Sequence, residues 1–190
     1  HPGSRTDERG RRGAASANGD RHRPRRRPSR SSVRRLSRQD PEKLPIVYGI
    51  GGNNTQHVVA EINSTDLKGV TALLSVSPYY NKPSQEGIFQ HFKEVAAASP
   101  LPVILYNVPG RTGSNITAQT TLRLAELKNI IGIKEASGNL EQCMKIAKEK
   151  PKDFMLISGD DMLTLPIYSI GGVGLISVLA NALPQVFLKI

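Results

Sequence analysis

The stretch "NIIGIKEASGN" (Asn129–Asn139) ends an apolar run on a lysine, Lys134. A lysine that follows a strand is most often solvated, because burying its charge is costly. Its strand neighbours on the same face are Gly132 and Ala136, since side chains alternate along a strand. If that face is an interior, two small neighbours leave room beside the amine. Desolvation then lowers the amine's pKa and makes it a neutral nucleophile suited to a ketone or aldehyde. The segment "YNVPGRTG" (Tyr106–Gly113) adds a phenol, Tyr106, able to carry protons, and a guanidinium, Arg111, able to grip a carboxylate by two parallel bonds. "SPYYNKP" (Ser77–Pro83) adds the adjacent phenols Tyr79 and Tyr80. Taken singly, a strand tyrosine is usually core and an arginine after a Pro-Gly turn is usually solvated; only their convergence makes a site.

These residues lie in a regular alternation. "LPIVYGI", "VTALLSVSPYY", "LPVILYNVPG", "IIGIKEAS", "FMLISGD" and "VGLISVLAN" read as six buried strands. "TQHVVAEINSTDLKG" reads as a helix closed by Gly69. "SQEGIFQHFKEVAAAS" and "TAQTTLRLAEL" read as helices capped by Ser84 and Thr117. "LEQCMKIAKEK", "DMLTLPIYSIG" and "ALPQVFLKI" supply the rest. Apolar strands alternating with amphipathic helices predict a parallel sheet covered by helices. A doubly wound sheet and a (β/α)8 barrel both fit that pattern. Polar pairs recur at strand ends (Tyr79-Tyr80, Tyr106-Asn107, Lys134-Glu135, Gly159-Asp160), and a barrel builds its site from several such ends, so the α/β fold expected is a TIM barrel with six of its eight βα units recognisable. "GIGGNN" (Gly49–Asn54) lacks the third glycine and acidic partner of a dinucleotide fingerprint and reads as a tight turn.

The segments "SPYYNKP", "YNVPGRTG", "GIKEASGN", "SGDD" and "GGVGLISV", in this order, resemble the dihydrodipicolinate synthase (4-hydroxy-tetrahydrodipicolinate synthase) family of pyruvate-dependent class I aldolases, within the N-acetylneuraminate lyase superfamily. The resemblance runs from about Leu44 to Ile190. It implies a (β/α)8 barrel, usually a homotetramer in the cytoplasm, that condenses pyruvate with aspartate 4-semialdehyde at the entry to diaminopimelate and lysine synthesis. It implies that Lys134 forms the imine with pyruvate, with no cofactor or metal, and that Tyr106 relays protons. It further implies that Arg111 holds the semialdehyde carboxylate and that Tyr80 is lent across a subunit interface. Ile176 would contact pyruvate through its backbone, and Gly159 would lie beside the same pocket. Another pyruvate-dependent aldolase is the nearest alternative. The family's Thr-Thr motif, which cradles the pyruvate carboxylate, would fall near Ala17, where the sequence reads "GAASANGD". The family also extends past Ile190. The chain as it stands is therefore expected to be nearly inactive, with water reaching Lys134 through an open barrel.

Charge divides the chain at the same place. Residues 1–43 hold thirteen Arg and one Lys against five acids, a net +9, whereas residues 44–190 hold twelve basic and eleven acidic side chains, a net +1. With Val33 and Leu36 as its large apolar residues, the first segment is expected to be disordered, and its alien composition suggests an out-of-frame origin. A basic-tailed nucleic-acid-binding protein is the rival reading. "RHRPRRRPSRSSVRR" (Arg21–Arg35) has no aromatic residue to stack on bases, so such binding would be electrostatic only and nucleic acid is not the expected partner. The lone Cys143 fits a reducing compartment, and no apolar run is long enough to span a membrane.

Overall fold

The computed structural model describes residues 44–187. The expected disorder of residues 1–43 falls outside that range. Six strands form one sheet in sequence order: β1 (Val47–Gly49), β2 (Ala72–Val76), β3 (Val103–Asn107), β4 (Ile130–Glu135), β5 (Met155–Ser158) and β6 (Gly174–Leu175). Every neighbouring pair is parallel. Helices α1 (Thr55–Ser64), α2 (Gln85–Ala98), α3 (Pro109–Thr112), α4 (Ala118–Ala125), α5 (Leu140–Glu149), α6 (Thr164–Ser169) and α7 (Pro184–Phe187) make the crossovers and the final segment.

Four of the helices start where a side chain can receive their free amides. Asn54, Ser84, Thr117 and Asn139 accept from the backbone N–H three residues on. The turn in "GIGGNN" thus ends as the cap of α1. Two expected boundaries are corrected. Helix α1 stops at Ser64 rather than at Gly69, because the Thr65 hydroxyl and amide both turn back onto the Glu61 carbonyl. The last strand is only Gly174–Leu175; the "LAN" that follows forms a 3-10 turn, Leu179–Asn181.

The outer face of the sheet carries the larger core. Leu105, Ile133 and Leu156 pack under Ile88, Phe92, Leu124 and Ile146 of the helices, and Leu73 and Val103 pack under Val58, Ile62 and Val95. Burial of such side chains contributes about 1.5–3 kcal/mol each. The inner face carries a smaller cluster, with Ala72, Ile104 and Ile157 at its centre and Leu74, Met155 and Ile176 around it.

One irregularity fixes what faces the interior. Val103 pairs with Ile130, but Ile104 pairs with Gly132, so Ile131 is an extra residue in β4. Without this bulge Tyr106 would stand opposite Ile133. With it, Tyr106 pairs with Lys134, completing a row Val76–Tyr106–Lys134–Ile157–Gly174 across five strands. Bulges commonly re-aim a side chain in this way beside a functional site.

Candidate active site

Lys134 lies near the end of β4 and points inward. Its exposure is 8 %, and its Nζ sits 4.2 Å from the centroid of the Tyr106 ring on the adjacent strand. Burial holds the amine below the ordinary lysine range, and the opposing pull comes from the Asp161 carboxylate. Lys134 is thus largely buried, where an open, wetted amine was expected. Burial likewise pushes the Tyr106 phenol up, against a smaller downward pull from the Arg111 guanidinium. The phenol thus remains a proton donor at neutral pH, its ring beneath an amine whose neutral form is more accessible than in an exposed lysine.

Arg111 rides on α3, the one-turn helix that follows β3, and is exposed. Gly113 ends that turn in the left-handed region at φ 68°, where glycine carries no Cβ penalty. Ile176 follows β6 directly and packs on the inner-face cluster. Its N–H is committed to Ser158 O at 2.9 Å, so a backbone contact to a ligand there falls to its carbonyl.

Gly159 follows β5, its N–H bonded to Glu135 O. A Cβ at this position would lie 2.8 Å from Lys134 Cε and 2.8 Å from Ala136 Cβ. Gly159 therefore makes the space for the lysine stem. The expectation that Gly132 supplies it is corrected, because a Cβ on Gly132 would meet Met155 O at 2.7 Å, so that glycine serves close strand packing. Gly159→Ala is expected to displace the lysine stem. The overpacking should cost about 1–3 kcal/mol in stability, read from thermal melts, with a loss on the order of a hundredfold in the rate of carbonyl capture by Lys134, read by hydride trapping. Unchanged capture would show that the stem has room to spare.

Tyr80 does not join this group within the chain. It is 88 % exposed, with φ 75°. A non-glycine residue in the left-handed region carries about 1–2 kcal/mol of strain. Its N–H donates to Thr112 O at 3.0 Å, and beneath it Ser77 Oγ and Ser114 Oγ bond at 2.7 Å, tying the tyrosine loop to the arginine loop.

Asp161 was not legible as a site residue. Its Oδ2 accepts from Val178 N at 3.3 Å and Leu179 N at 3.2 Å, drawing the segment after β6 toward the loop after β5. A bond from the Ser177 side chain, helped by these two backbone bonds, holds its carboxyl below the usual range. The only sequence signal was the doubled aspartate of "SGDD". The lone Cys143 is buried, and desolvation together with the nearby Glu135 charge pushes its thiol up to about 12, which makes it inert.

A parallel βα sheet with a buried lysine against a tyrosine, both at carboxyl ends of adjacent strands, places the molecule among the (β/α)8-barrel proteins, with six strands present in the described residues. The model of the dihydrodipicolinate synthetase family matches residues 37–190. Over 145 residues the chain is 60 % identical to the 4-hydroxy-tetrahydrodipicolinate synthase of Cytophaga hutchinsonii, covering 76 % of this chain and 49 % of that protein. Over 146 residues it is 62 % identical to the enzyme of the same name from Flavobacterium psychrophilum, covering 76 % and 50 %. Among solved structures it is similar to the dihydrodipicolinate synthase of Bacillus anthracis, with a TM-score of 0.76 at 42 % identity, covering 80 % of this chain and 52 % of that one. The chain belongs to the dihydrodipicolinate synthetase family. It spans about half the length of the curated relatives it matches.

Proposed function

We propose that the protein is a 4-hydroxy-tetrahydrodipicolinate synthase, joining pyruvate to aspartate 4-semialdehyde through an imine on Lys134 in diaminopimelate and lysine synthesis. The observation that carries this reading is the buried Lys134 amine set 4.2 Å over the Tyr106 ring, in a chain whose relatives bear that enzyme's name. Lys134 Nζ attacks the pyruvate ketone carbon, Tyr106 gives a proton to the departing oxygen, and water leaves. The positive iminium then draws electrons from the methyl carbon, which loses a proton and becomes the nucleophile toward the aldehyde. The semialdehyde's own amine finally displaces Lys134 as the ring closes, and Tyr106 moves the protons of that exchange. No cofactor is called for, because the iminium is itself the electron sink.

Arg111 takes the semialdehyde carboxylate and the Ile176 carbonyl contacts pyruvate, with Gly159 leaving their pocket open. The exposure of Tyr80 and its strained backbone support its use by a neighbouring subunit, in a homotetramer. A cytoplasmic setting suits a pathway enzyme with one inert thiol; among the described residues no helix is long and apolar enough to cross a membrane.

The imine step depends on described residues, whereas the missing Thr-Thr pair near Ala17 is expected to make the complete condensation weak in this chain. The test is to mix the chain with pyruvate and borohydride and locate the new secondary amine by peptide mass. An adduct on Lys134 is the expected result, and none at any pH would sink the reading. A complementary prediction concerns Arg111→Lys, which keeps the charge and loses the planar fork. Pyruvate trapping should be nearly unchanged, while addition of the semialdehyde to the preformed adduct, before hydride, should fall on the order of tenfold or more. Equal losses in both would make the arginine structural.

A further inference from the structure

Directly behind the Tyr106–Lys134 pair, on the opposite face of the sheet, the next register pair is Asn107–Glu135. Glu135 is 1 % exposed. No cation pairs with it among the described residues. Its partners are instead amide donors: Asn107 Nδ2 at 3.1 Å from each carboxylate oxygen, Gln142 Nε2 at 2.9 Å and Ser137 N at 2.9 Å. Asn107 is held in turn at the base of the arginine loop. Its Oδ1 accepts from Ile116 N at 3.0 Å and its Nδ2 donates to Asn115 Oδ1 at 2.8 Å. The loop from Val108 to Asn115, which carries Arg111, is thereby closed by a side chain of the strand that carries Tyr106.

A buried carboxylate with no cation is costly unless its lone pairs are satisfied, and two hydrophobic residues here would pack as well. Pure core formation therefore does not account for it. The backbone offers a different reason. Beyond this row β3 and β4 separate, and the last ladder bond between them is Ala136 N to Asn107 O at 2.9 Å. Strand ends fray unless something pins them, and both reactive side chains sit one residue before that end.

We propose that Glu135 and Asn107 are positioning residues: a buried cross-strand bridge that locks the ends of β3 and β4, sets the Lys134 amine against the Tyr106 phenol, and fixes the base of the loop bearing Arg111. The bridge touches no substrate. The inference deepens the proposed function and rests on it for its pyruvate arm.

The experiment uses the full chain and four variants. Glu135→Gln removes the charge and puts an amide donor against the donors of Asn107 and Gln142. Asn107→Asp sets two carboxylates against each other. The exchange variant Asn107→Asp with Glu135→Gln rebuilds a one-carboxylate bridge in the opposite sense. The milder Gln142→Leu removes one helix-side donor and leaves the cross-strand bonds intact. Thermal melts report the fold, and the rate of borohydride-trapped pyruvate on Lys134 reports positioning. Each folded single strand-end variant is expected to trap on the order of ten- to a hundredfold more slowly, the exchange variant to return to within about threefold of the parent, and Gln142→Leu to lose less than either. Parent-like trapping in Glu135→Gln, a folded exchange variant that stays slow, or a larger loss in Gln142→Leu would each overturn the bridge. If the parent itself traps no pyruvate, the proposed function falls while the bridge is still judged by reductive methylation with formaldehyde, which needs no carboxylate site. The charge acting on Lys134 is the Asp161 carboxylate, with the Tyr106 ring in contact, and both are unchanged in every variant; loss of the Glu135 charge would of itself lower the midpoint, so an upward move reports position. The methylation midpoint of Lys134 is expected to lie below that of the surface lysines in the parent and to move toward them in Glu135→Gln; identical midpoints would refute positioning.

Discussion

Lys134→Arg is expected to abolish the pyruvate adduct altogether. A guanidinium keeps the charge and much of the stem but has no free electron pair at neutral pH, so it cannot attack a ketone. The parent amine is favoured by its surroundings: at the reference pKa of about 10.4 only about one lysine amine in a thousand is neutral near pH 7.4, and each unit of lowering multiplies that fraction about tenfold. The direction of the Lys134 shift is downward, through burial. The trapping rate should therefore rise through a midpoint below that of an exposed lysine, and above it should level off while surface lysines still gain. Intact mass and peptide mapping across pH provide the measurement. An adduct of equal yield in Lys134→Arg would move the nucleophile to another residue.

Tyr106→Phe is expected to leave the fold intact and slow trapping by about a hundredfold to ten-thousandfold, the usual range for losing a positioned proton carrier. The ring is retained, so the contact 4.2 Å beneath the Lys134 amine survives and only the hydroxyl is removed. Because burial raises the phenol's pKa, the parent donates its proton throughout the neutral range, and the variant's rate should become more dependent on buffer acids that substitute for it. A variant that traps at the parent rate, with buffer making no difference, would leave Tyr106 as packing alone.

Much of this was legible in residue patterns, for identifiable reasons. Continuous apolar strands and helix caps are local signals, so six strands and the starts at Ser84 and Thr117 could be read directly. The meeting of Lys134 and Tyr106 followed from the rule that parallel strands present their carboxyl ends together, whereas the place of Gly159 beside them was implied by the family resemblance alone. What was not legible depends on register. The extra residue Ile131 in β4 has no sequence mark, yet it decides that Tyr106 rather than its neighbour stands opposite Lys134. The space beside the lysine was credited to Gly132 for the same reason, because which glycine faces a neighbouring strand and which faces a side chain is a matter of strand pairing. Glu135 looked like an ordinary polar strand end; its burial depends on Asn107 and Gln142, residues brought in from other elements.

The order of the strands in the sheet is their order along the chain, each lying only against the one made before it and the one made after. Each new strand closes a loop of modest length onto a neighbour already in place, at an entropic cost that grows only with the logarithm of that length. Assembly during synthesis can then proceed as an advancing front, with each βα unit docking on a finished template before the following one leaves the ribosome. Among the described strands the edge that changes at each step is the one on which the newest strand has docked, while the edge at β1 stays where it was. Because the hydrogen bonds between Asn107 and Glu135 cannot form until β4 arrives, the end of β3 stays unpinned until that strand has docked.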